Sequence, residues 1–285
     1  VEGSRLNHKL VDDIYKVVKE GKDVSEKDAE EFGKALANVI ADRLRERQGG
    51  ERPFTLRMSN IGKGARQLWY DKRFGKDEDL PPATLVKFMF GDIIEQLVLF
   101  LASQAGHDVR DHQAEVVRNG VKGHIDADID GVTVDVKSAS TYSFKKFKDG
   151  TLAENDPFGY IEQIAGYAKA RDTDGAFLAV DKQNGHITYL PFTKEELAVY
   201  DIDRRIDYIK QAVESDSTPE RCHPDEEYGK SGNRALGINC SYCSHAKRCW
   251  SDANGGLGLR TFLYSSGPVM FTKVVVEPKV HEVTF

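Results

Sequence analysis

The stretch VKGHIDADIDGVTVDVKSAS, residues 121–140, decides the predicted fold. Its Asp130-Gly131 pair favours a two-residue type I′ turn, and alternating apolar and polar residues flank that turn, so we predict a β-hairpin. The pairs on one side of this hairpin are all apolar: Ile129 with Val132, Ala127 with Val134, and Ile125 with Val136. This side is expected to face the core.

The other side of the predicted hairpin is polar. Its pairs are Asp128 with Thr133, His124 with Lys137, and Asp126 with Asp135. Directly opposed side chains have Cβ atoms about 5 Å apart, so the two carboxylates repel each other unless they share a proton or a cation. On this pattern alone, Asp135→Asn is expected to relieve repulsion and to raise stability without metal. Two acids that bind a hard divalent cation, with Lys137 beside a water bound to that cation, are typical of a hydrolytic active site. The alternative interpretation is a solvent-exposed hairpin face of mixed charges.

Length and composition indicate a soluble globular protein. The chain has 285 residues, 40% hydrophobic and 30% charged, which is enough for one large domain or two modest ones. The net charge of -6 does not single out a nucleic-acid binder, but local patches rather than the sum decide such contacts. No apolar run is long enough to span a membrane and no signal-peptide core is present, so we expect a cytoplasmic protein without membrane contact.

The order of elements predicts an α/β fold with a mixed central sheet flanked by helices. We divide the chain into an N-terminal helical cap over residues 1–52, a core over 53–218, and a cysteine region with C-terminal strands over 219–285. The cap contains one helix that ends at Gly21 and another that begins at Ser25, and neither carries a catalytic signature.

The core contains a nearly all-apolar helix over about residues 84–105, whose only acids are Asp92 and Glu95. A buried acid in such a helix needs a partner or faces a site, because an unpaired buried charge is costly. The further predicted elements are a strand at 113–118, a helix over about 157–171, strands at 175–180 and 186–190, and one long helix over 193–215.

Two segments combine basic with aromatic residues, a mixture that suits a phosphate backbone and its bases. A short helix after Ser59 or Asn60 carries Arg66 and Trp69. The segment TYSFKKFKDG, which we interpret as a loop, carries three lysines, Lys145, Lys146 and Lys148. These five basic and aromatic residues are candidate DNA contacts; the alternative for the first segment is a surface helix with Trp69 buried against the core.

Four motifs in order resemble the PD-(D/E)XK nuclease superfamily, in particular its RecB-like and Cas4-like exonuclease branch. Glu95 in GDIIE matches the acid of the first core helix, and Asp126 in GHID matches the G-x-x-D aspartate. The run Asp135-Val136-Lys137 matches the D/E-x-K signature. The run QIAGY, from Gln163 to Tyr167, matches the Q-x-x-x-Y motif of the RecB-like branch.

The resemblance implies a restriction-endonuclease-like core and a role for each matching residue. The carboxylates of Glu95, Asp126 and Asp135, with the carbonyl of Val136, would bind one or two Mg²⁺ or Mn²⁺ ions. Lys137 would orient or deprotonate a bound water or stabilise the phosphate, and these alternatives stay open. Gln163 and Tyr167 would position the DNA strand, and His124 is a candidate for a supporting contact to Lys137.

All four cysteines lie between Cys222 and Cys249, and clustered thiols in a cytosolic chain favour a metal site over disulfides. The run INCSYCSHAKRCW gives the spacing C-x2-C-x5-C at Cys240, Cys243 and Cys249. In iron–sulfur members of the resembled branch, this spacing supplies three ligands of a [4Fe–4S] cluster.

The fourth cysteine of those members lies upstream, just before an R-x-x-W/Y helix. The corresponding segment here is KGARQLW, residues 63–69, which has no cysteine. Cys222 is therefore the candidate fourth ligand, with His223 and His245 as substitutes. The centre would be a [4Fe–4S] cluster or, alternatively, a structural Zn²⁺.

We therefore predict a Mg²⁺- or Mn²⁺-dependent DNA nuclease, an exonuclease rather than an endonuclease, acting in recombination, repair or DNA degradation. The alternative is a non-catalytic or structure-specific DNA-binding relative that serves an assembly. The expected partner is DNA, as single strands or duplex ends, with a recombination or replication protein as a candidate protein partner. The place of action would be the host cytoplasm if the chain is phage-encoded.

Overall fold

The computed structural model describes residues 3–46, 53–75 and 81–283, without the side chains of residues 3–8. The chain divides into two compact units. The first comprises residues 1–62 and 80–208, and the second comprises residues 63–79 and 209–285. This division differs from the three parts predicted from sequence: the N-terminal helices share a unit with the central sheet, and residues 63–79 join the cysteine region.

The described residues contain helices of very different lengths. They are α1 (Gly3–Glu20), α2 (Glu26–Glu46), α3 (Ala65–Phe74), α4 (Pro82–Gln104), α5 (Thr141–Lys148), α6 (Tyr160–Arg171), α7 (Lys194–Ala198), α8 (Ile202–Glu214), α9 (Ile238–Ser241), α10 (Ala246–Cys249) and α11 (Ala253–Gly256), with short 3₁₀ turns at Met58–Asn60 and Leu152–Glu154. None of the helices in these described ranges is long and apolar enough to cross a membrane.

The strands form three sheets in the described ranges. They are β1 (Val109–Arg110), β2 (Glu115–Arg118), β3 (Val121–His124), β4 (Ala127–Ile129), β5 (Val132–Ala139), β6 (Gly175–Asp181), β7 (Ile187–Phe192), β8 (Asp225–Tyr228), β9 (Asn233–Leu236), β10 (Arg260–Tyr264), β11 (Gly267–Lys273) and β12 (Glu282–Val283). The first unit holds the sheet β1-β4-β5-β6-β7 and the separate hairpin β2-β3. The second unit holds an antiparallel sheet in the order β12-β10-β11-β9-β8, in the region where the sequence predicted C-terminal strands.

The central sheet is mixed, as predicted. Strands β5 and β6 are parallel and are connected through α5 and α6, whereas the other neighbours in the sheet are antiparallel. The predicted hairpin register is confirmed next to the turn, where Ile129 pairs with Val132 and Ala127 pairs with Val134. The fold class predicted from the alternating pattern is therefore right at the level of a mixed α/β core.

The predicted register fails beyond Ala127, because the first arm is two strands rather than one. Strand β3 pairs with β2, and the Ile125 amide extends that ladder by donating to the carbonyl of Ala114 at 3.1 Å. Opposite strand β2, His124 faces Glu115, so the predicted pairing of His124 with Lys137 is wrong. The chain crosses between the two sheets at Ile125 and Asp126, and the Ile125 side chain is fully buried.

Two apolar layers enclose the central sheet. One layer packs Val134 and Val136 of β5 against Ile14 of α1 and Val98 of α4. The other layer joins β6, α5 and α6. Because side chains alternate along a strand, Asp135 and Lys137 point away from Val134 and Val136 and toward the side of α6. The sheet thus delivers these two polar residues to one face.

Two local predictions are wrong. The segment TYSFKKFK is the helix α5 rather than a loop, because Phe144 and Phe147 are one turn apart and both buried, and Ser140 caps its first turn. The long helix predicted over residues 193–215 is two helices, α7 and α8. They are separated where Asp201 adopts a positive φ of 31°.

Candidate active site

The two acids of the predicted pair do meet, although by a different route. Asp135 lies within β5 and is 1% exposed. Asp126 lies in the crossing between β3 and β4, outside the ladder, and its Oδ2 accepts a hydrogen bond from the Val136 amide at 2.6 Å. The backbone of the D-V-K run therefore holds Asp126 near Asp135, although the two residues are not the cross-strand pair that the predicted register gave.

Asp135 is surrounded by two donors. The Lys137 ammonium lies 2.5 Å from Asp135 Oδ2, and the Gln163 side-chain amide donates to Asp135 Oδ1 at 2.9 Å. The same Gln163 nitrogen lies 3.3 Å from the Tyr167 hydroxyl. Gln163 and Tyr167 are both buried, and Gln163 fixes one oxygen of the Asp135 carboxylate. Their contact with a DNA strand stays a prediction.

Glu95 reaches the same group of charges from α4. Its Oε1 accepts a hydrogen bond from Gln113 at 2.8 Å and lies 3.8 Å from the His112 ring nitrogen. The charges of Asp135 and Lys137 act on its carboxyl group. Gln113 and His112 belong to no motif, so the sequence offered no signal for them.

The pKa values report the crowding of these charges. Burial, followed by the Asp135 charge, raises the pKa of Glu95 to about 7 against the Gln113 hydrogen bond. Burial, followed by the charges of Asp135 and Glu95, raises the pKa of Asp126 well above its ordinary value. Burial lowers the pKa of Lys137, but the Asp135 carboxylate outweighs it, so that pKa is raised overall. The site therefore stabilises added positive charge.

The donor chemistry of this site suits a hard divalent cation. Its carboxylate oxygens are ligands that Mg²⁺ and Mn²⁺ accept, and Asp135 contributes two of them from a side chain that is almost fully buried. However, within residues 3–46, 53–75 and 81–283, no three His, Cys, Asp or Glu side chains are gathered into a metal-binding group. The carboxylates thus fit the ion by type and charge, and an ion would have to draw them together.

The other acid of α4, Asp92, has a partner away from this site. Arg43 of α2 binds it with two nitrogens at 2.5 and 2.8 Å. Of the two acids in this helix, Asp92 thus has an ion-pair partner, and Glu95 faces the candidate site.

The lysines of α5 are presented differently from one another. Lys145 and Lys148 are exposed, whereas Lys146 is half-buried and donates to the carbonyl of Asn155 at 2.9 Å. Tyr142, which no motif indicated, is 70% exposed on the same helix. The exposed Lys145 and Lys148 could therefore contact a phosphate backbone, and this contact stays a prediction.

Arg66 and Trp69 lie on α3 in the second unit. The Trp69 ring is 7% exposed and donates from Nε1 to the carbonyl of Ser215 at 2.8 Å, so the alternative of a buried tryptophan is the right one. Arg66 donates to the carbonyl of Pro219 at 3.1 Å, and its Nε is buried without a hydrogen-bond acceptor. Trp69 is thus buried and Arg66 is half-buried, and contact of these two side chains with DNA stays a prediction.

The four cysteines are free thiols in the second unit. Burial is the main cause that raises the pKa of Cys240 and Cys249, and it raises the pKa of Cys243 to about 11, with neighbouring thiols adding to each shift. The Cys222 sulfur fills the space of a missing side chain, because a Cβ at Gly64 would lie 2.2 Å from it.

The histidines proposed as substitute ligands have other contacts. His245 Nε2 lies 2.8 Å from Asp71 Oδ1 in a buried pair, and His223 Nδ1 lies 3.4 Å from the Asn239 side-chain nitrogen.

Three solved structures similar to this chain are exonucleases of low sequence identity. A phage-related exonuclease from Haemophilus somnus 129PT is 15% identical, with a TM-score of 0.43 over 57% of this chain and 94% of that chain. An alkaline exonuclease from Laribacter hongkongensis is 13% identical, with a TM-score of 0.34 over 54% of this chain and 89% of that chain. Its complex with dAMP gives 13% identity and a TM-score of 0.38 over 55% and 90%, respectively. No protein-family model and no curated protein matches the sequence.

Proposed function

We propose that this protein is a divalent-metal-dependent DNA nuclease, an exonuclease rather than an endonuclease, of the RecB-like branch. The observation that carries the proposal is the buried Asp135 carboxylate held between Lys137 and Gln163, with Asp126 fixed on the adjacent Val136 amide. A structural ion pair would not need the further acids, which cost free energy where they are buried together. The same residues carry the QIAGY and D-V-K motifs.

In this proposal Glu95, Asp126, Asp135 and the Val136 carbonyl hold one or two Mg²⁺ or Mn²⁺ ions. When bound, such an ion lowers the pKa of a water ligand and neutralises charge at the scissile phosphate. Lys137 stays protonated at neutral pH because its pKa is raised, so its role is to stabilise negative charge on the phosphate rather than to remove a proton. Gln163 fixes the orientation of Asp135.

The substrate would approach past the exposed Lys145 and Lys148 of α5, whose charges can replace counterions on the phosphate backbone. A recombination or replication protein remains a candidate partner, and the expected place of action is the cytoplasm.

The test is degradation of end-labelled DNA with Mg²⁺, with Mn²⁺ and with a chelator. Linear single-stranded and duplex DNA should be shortened from an end only with a divalent ion, and a covalently closed circle should survive. Cleavage of the circle would assign an endonuclease instead. If the protein binds DNA but cleaves it under none of these metal conditions, the alternative of a non-catalytic DNA-binding protein would be the right one.

We also propose that Cys222, Cys240, Cys243 and Cys249 hold one metal centre, a [4Fe–4S] cluster or, alternatively, Zn²⁺. The position of the Cys222 sulfur in the notch left by Gly64 supports this, because it brings Cys222 to α3, where the resembled branch has its upstream ligand. Arg66 supports it as well, since its guanidinium lies near Cys249 and Cys222, where it would stabilise thiolate ligands, and its buried Nε–H has no acceptor. Four thiolates suit either centre, and metal binding would draw them together.

Anaerobic purification followed by iron, sulfide and zinc analysis tests this centre. Cys222→Ala should lower the metal content, and adding Gly64→Cys to it should restore the content, because the new side chain occupies the vacated notch. Ser241→Ala, in the same segment, is the matched control and should keep its metal. A metal-free protein with four titratable thiols would remove the centre from the proposal.

A further inference from the structure

The Lys137 ammonium has a second neighbour besides Asp135. It lies 4.5 Å from the centre of the Tyr160 ring, on the ring face. The Lys137 side chain is only 18% exposed, so water screens this contact weakly. A cation over an aromatic face is attracted by the ring's negative quadrupole, and more strongly where both are shielded from water. Lys137 is thus held from two directions, by a carboxylate and by a ring.

The Tyr160 ring is placed by contacts that do not involve Lys137. It packs against Phe147 and Phe177, with ring centres 6.3 and 6.4 Å away. Both phenylalanines are buried in the core between α5 and β6. The ring is therefore a fixed platform to which the flexible lysine conforms, rather than the reverse.

The backbone beneath Tyr160 is fixed as well. Tyr160 is the first residue of α6 and follows Gly159, whose φ is 72°. A Cβ at Gly159 would lie 2.4 Å from the Gly62 backbone, so the two glycines are in direct backbone contact. The Asp156 carboxylate accepts the Ile161 amide at 2.8 Å and satisfies one orphan donor of the first turn. The start of α6 therefore places Tyr160 before any substrate binds.

We propose that Tyr160 is a positioning residue that holds the Lys137 ammonium over its ring, aimed at the Asp135 carboxylate and at the phosphate that binds there. The inference rests on the proposed nuclease function, and it assigns to the ring a task that packing alone does not require. A lysine has four rotatable side-chain bonds, and each orientation lost before the reaction lowers the barrier. The aromatic face, not the hydroxyl, does the positioning.

Three variants separate positioning from packing. Tyr160→Phe keeps the ring, and Tyr160→Leu keeps apolar volume but loses the ring face. Phe144→Leu is the matched control, since it removes a buried ring from the same apolar layer, on the helix that also carries Phe147, without removing a ring that packs against Tyr160. With DNA and Mg²⁺, Tyr160→Leu should lower kcat about tenfold with KM within twofold, as expected for a cation–π contact of this burial. Tyr160→Phe and Phe144→Leu should keep kcat within about twofold.

A second measurement does not depend on cleavage. Urea denaturation of Tyr160→Leu, Lys137→Met and the double variant forms a double-mutant cycle. Tyr160→Leu should lower the midpoint less in the Lys137→Met background than in the wild-type background, whereas Phe144→Leu should lower it equally in both. If the wild type cleaves no DNA, the proposed function fails while this cycle still tests the contact. The positioning role would be overturned by any of three results: additive shifts of the urea midpoint in the cycle, a wild-type kcat for Tyr160→Leu, or a kcat of Tyr160→Phe as low as that of Tyr160→Leu.

Discussion

Replacing Asp135 by asparagine separates the two energies that act on this carboxylate. The acid pattern alone predicts a more stable protein, because repulsion between Asp126 and Asp135 would be relieved. The structure reverses the expected sign. Asp135 is paired with Lys137 at 2.5 Å, and burial together with the neighbouring charges raises the pKa of Asp126 and of Glu95, which reduces the repulsion that the substitution could relieve.

The size of the effect follows from burial. Removing one partner of a buried ion pair costs about 3–5 kcal/mol, and the 18% exposure of the Lys137 side chain places this pair at the lower end. The asparagine still accepts a hydrogen bond, and some repulsion is relieved, so we expect about 2–3 kcal/mol of lost stability in the metal-free protein. For a unit of this size, that corresponds to a fall in Tm of about 4–12 °C. Cleavage should fall on the order of 1000-fold, because a metal ligand and the partner of Lys137 are lost together.

Asp128→Asn is the matched control, because Asp128 is a buried acid of the same hairpin outside the site. It accepts the Gly131 amide at 2.8 Å and pairs with Arg171 at 3.0 Å. Its replacement should lower Tm comparably and leave cleavage intact. Differential scanning calorimetry in a chelator gives Tm, and end-labelled DNA gives the rate. An Asp135→Asn protein that melts above the wild type would refute the ion-pair argument, and wild-type cleavage by it would refute the site.

Three further predictions concern DNA contact, pH and the start of α6. Replacing both Lys145 and Lys148 by alanine should reduce the slope of log K against log salt by about 1.4–1.8, measured by fluorescence anisotropy at several salt concentrations; an unchanged slope places α5 away from DNA. The pKa of Glu95 is raised from 4.5 to about 7, so between these pH values the metal-free fold binds a proton that the unfolded chain has released, and the free energy of unfolding should fall as pH rises from about 4.5 to 7. In urea titrations at several pH values, Glu95→Gln should flatten that fall. An identical pH profile for the variant and the wild type would contradict the raised pKa. Gly159→Ala should lower the stability by about 1 kcal/mol for its φ of 72° and by about 1–3 kcal/mol more for the clash with the Gly62 backbone, and it should slow cleavage. Gly150→Ala, at φ 70° with no atom near the new Cβ, should show only the first cost. Equal Tm values for the two variants would refute the predicted clash.

The mixed sheet and the placing of the motif residues on shared faces could be predicted because short sequence intervals determine them. A two-residue turn and the alternation of side chains specify which residues share a face over the three pairs nearest Asp130. The spacing Asp135 to Lys137 places both side chains on one face of β5, and the spacing Gln163 to Tyr167 places both on one face of α6. These relations depend only on the strand and helix repeats.

What the sequence could not supply lies where backbones from distant segments touch. Nothing in the alternation reveals that the chain leaves the sheet at Ile125, because the residues on both sides of it continue the same apolar and polar pattern. The chain leaves the central sheet because the Ile125 amide donates to the carbonyl of Ala114 and so extends the β2-β3 hairpin instead. This departure also frees Asp126 from strand geometry, so that its carboxylate can accept the Val136 amide at 2.6 Å, which a cross-strand partner in regular register could not do because its side chain projects away from the ladder. The irregularity that defeated the register prediction is therefore what brings the second acid into the site.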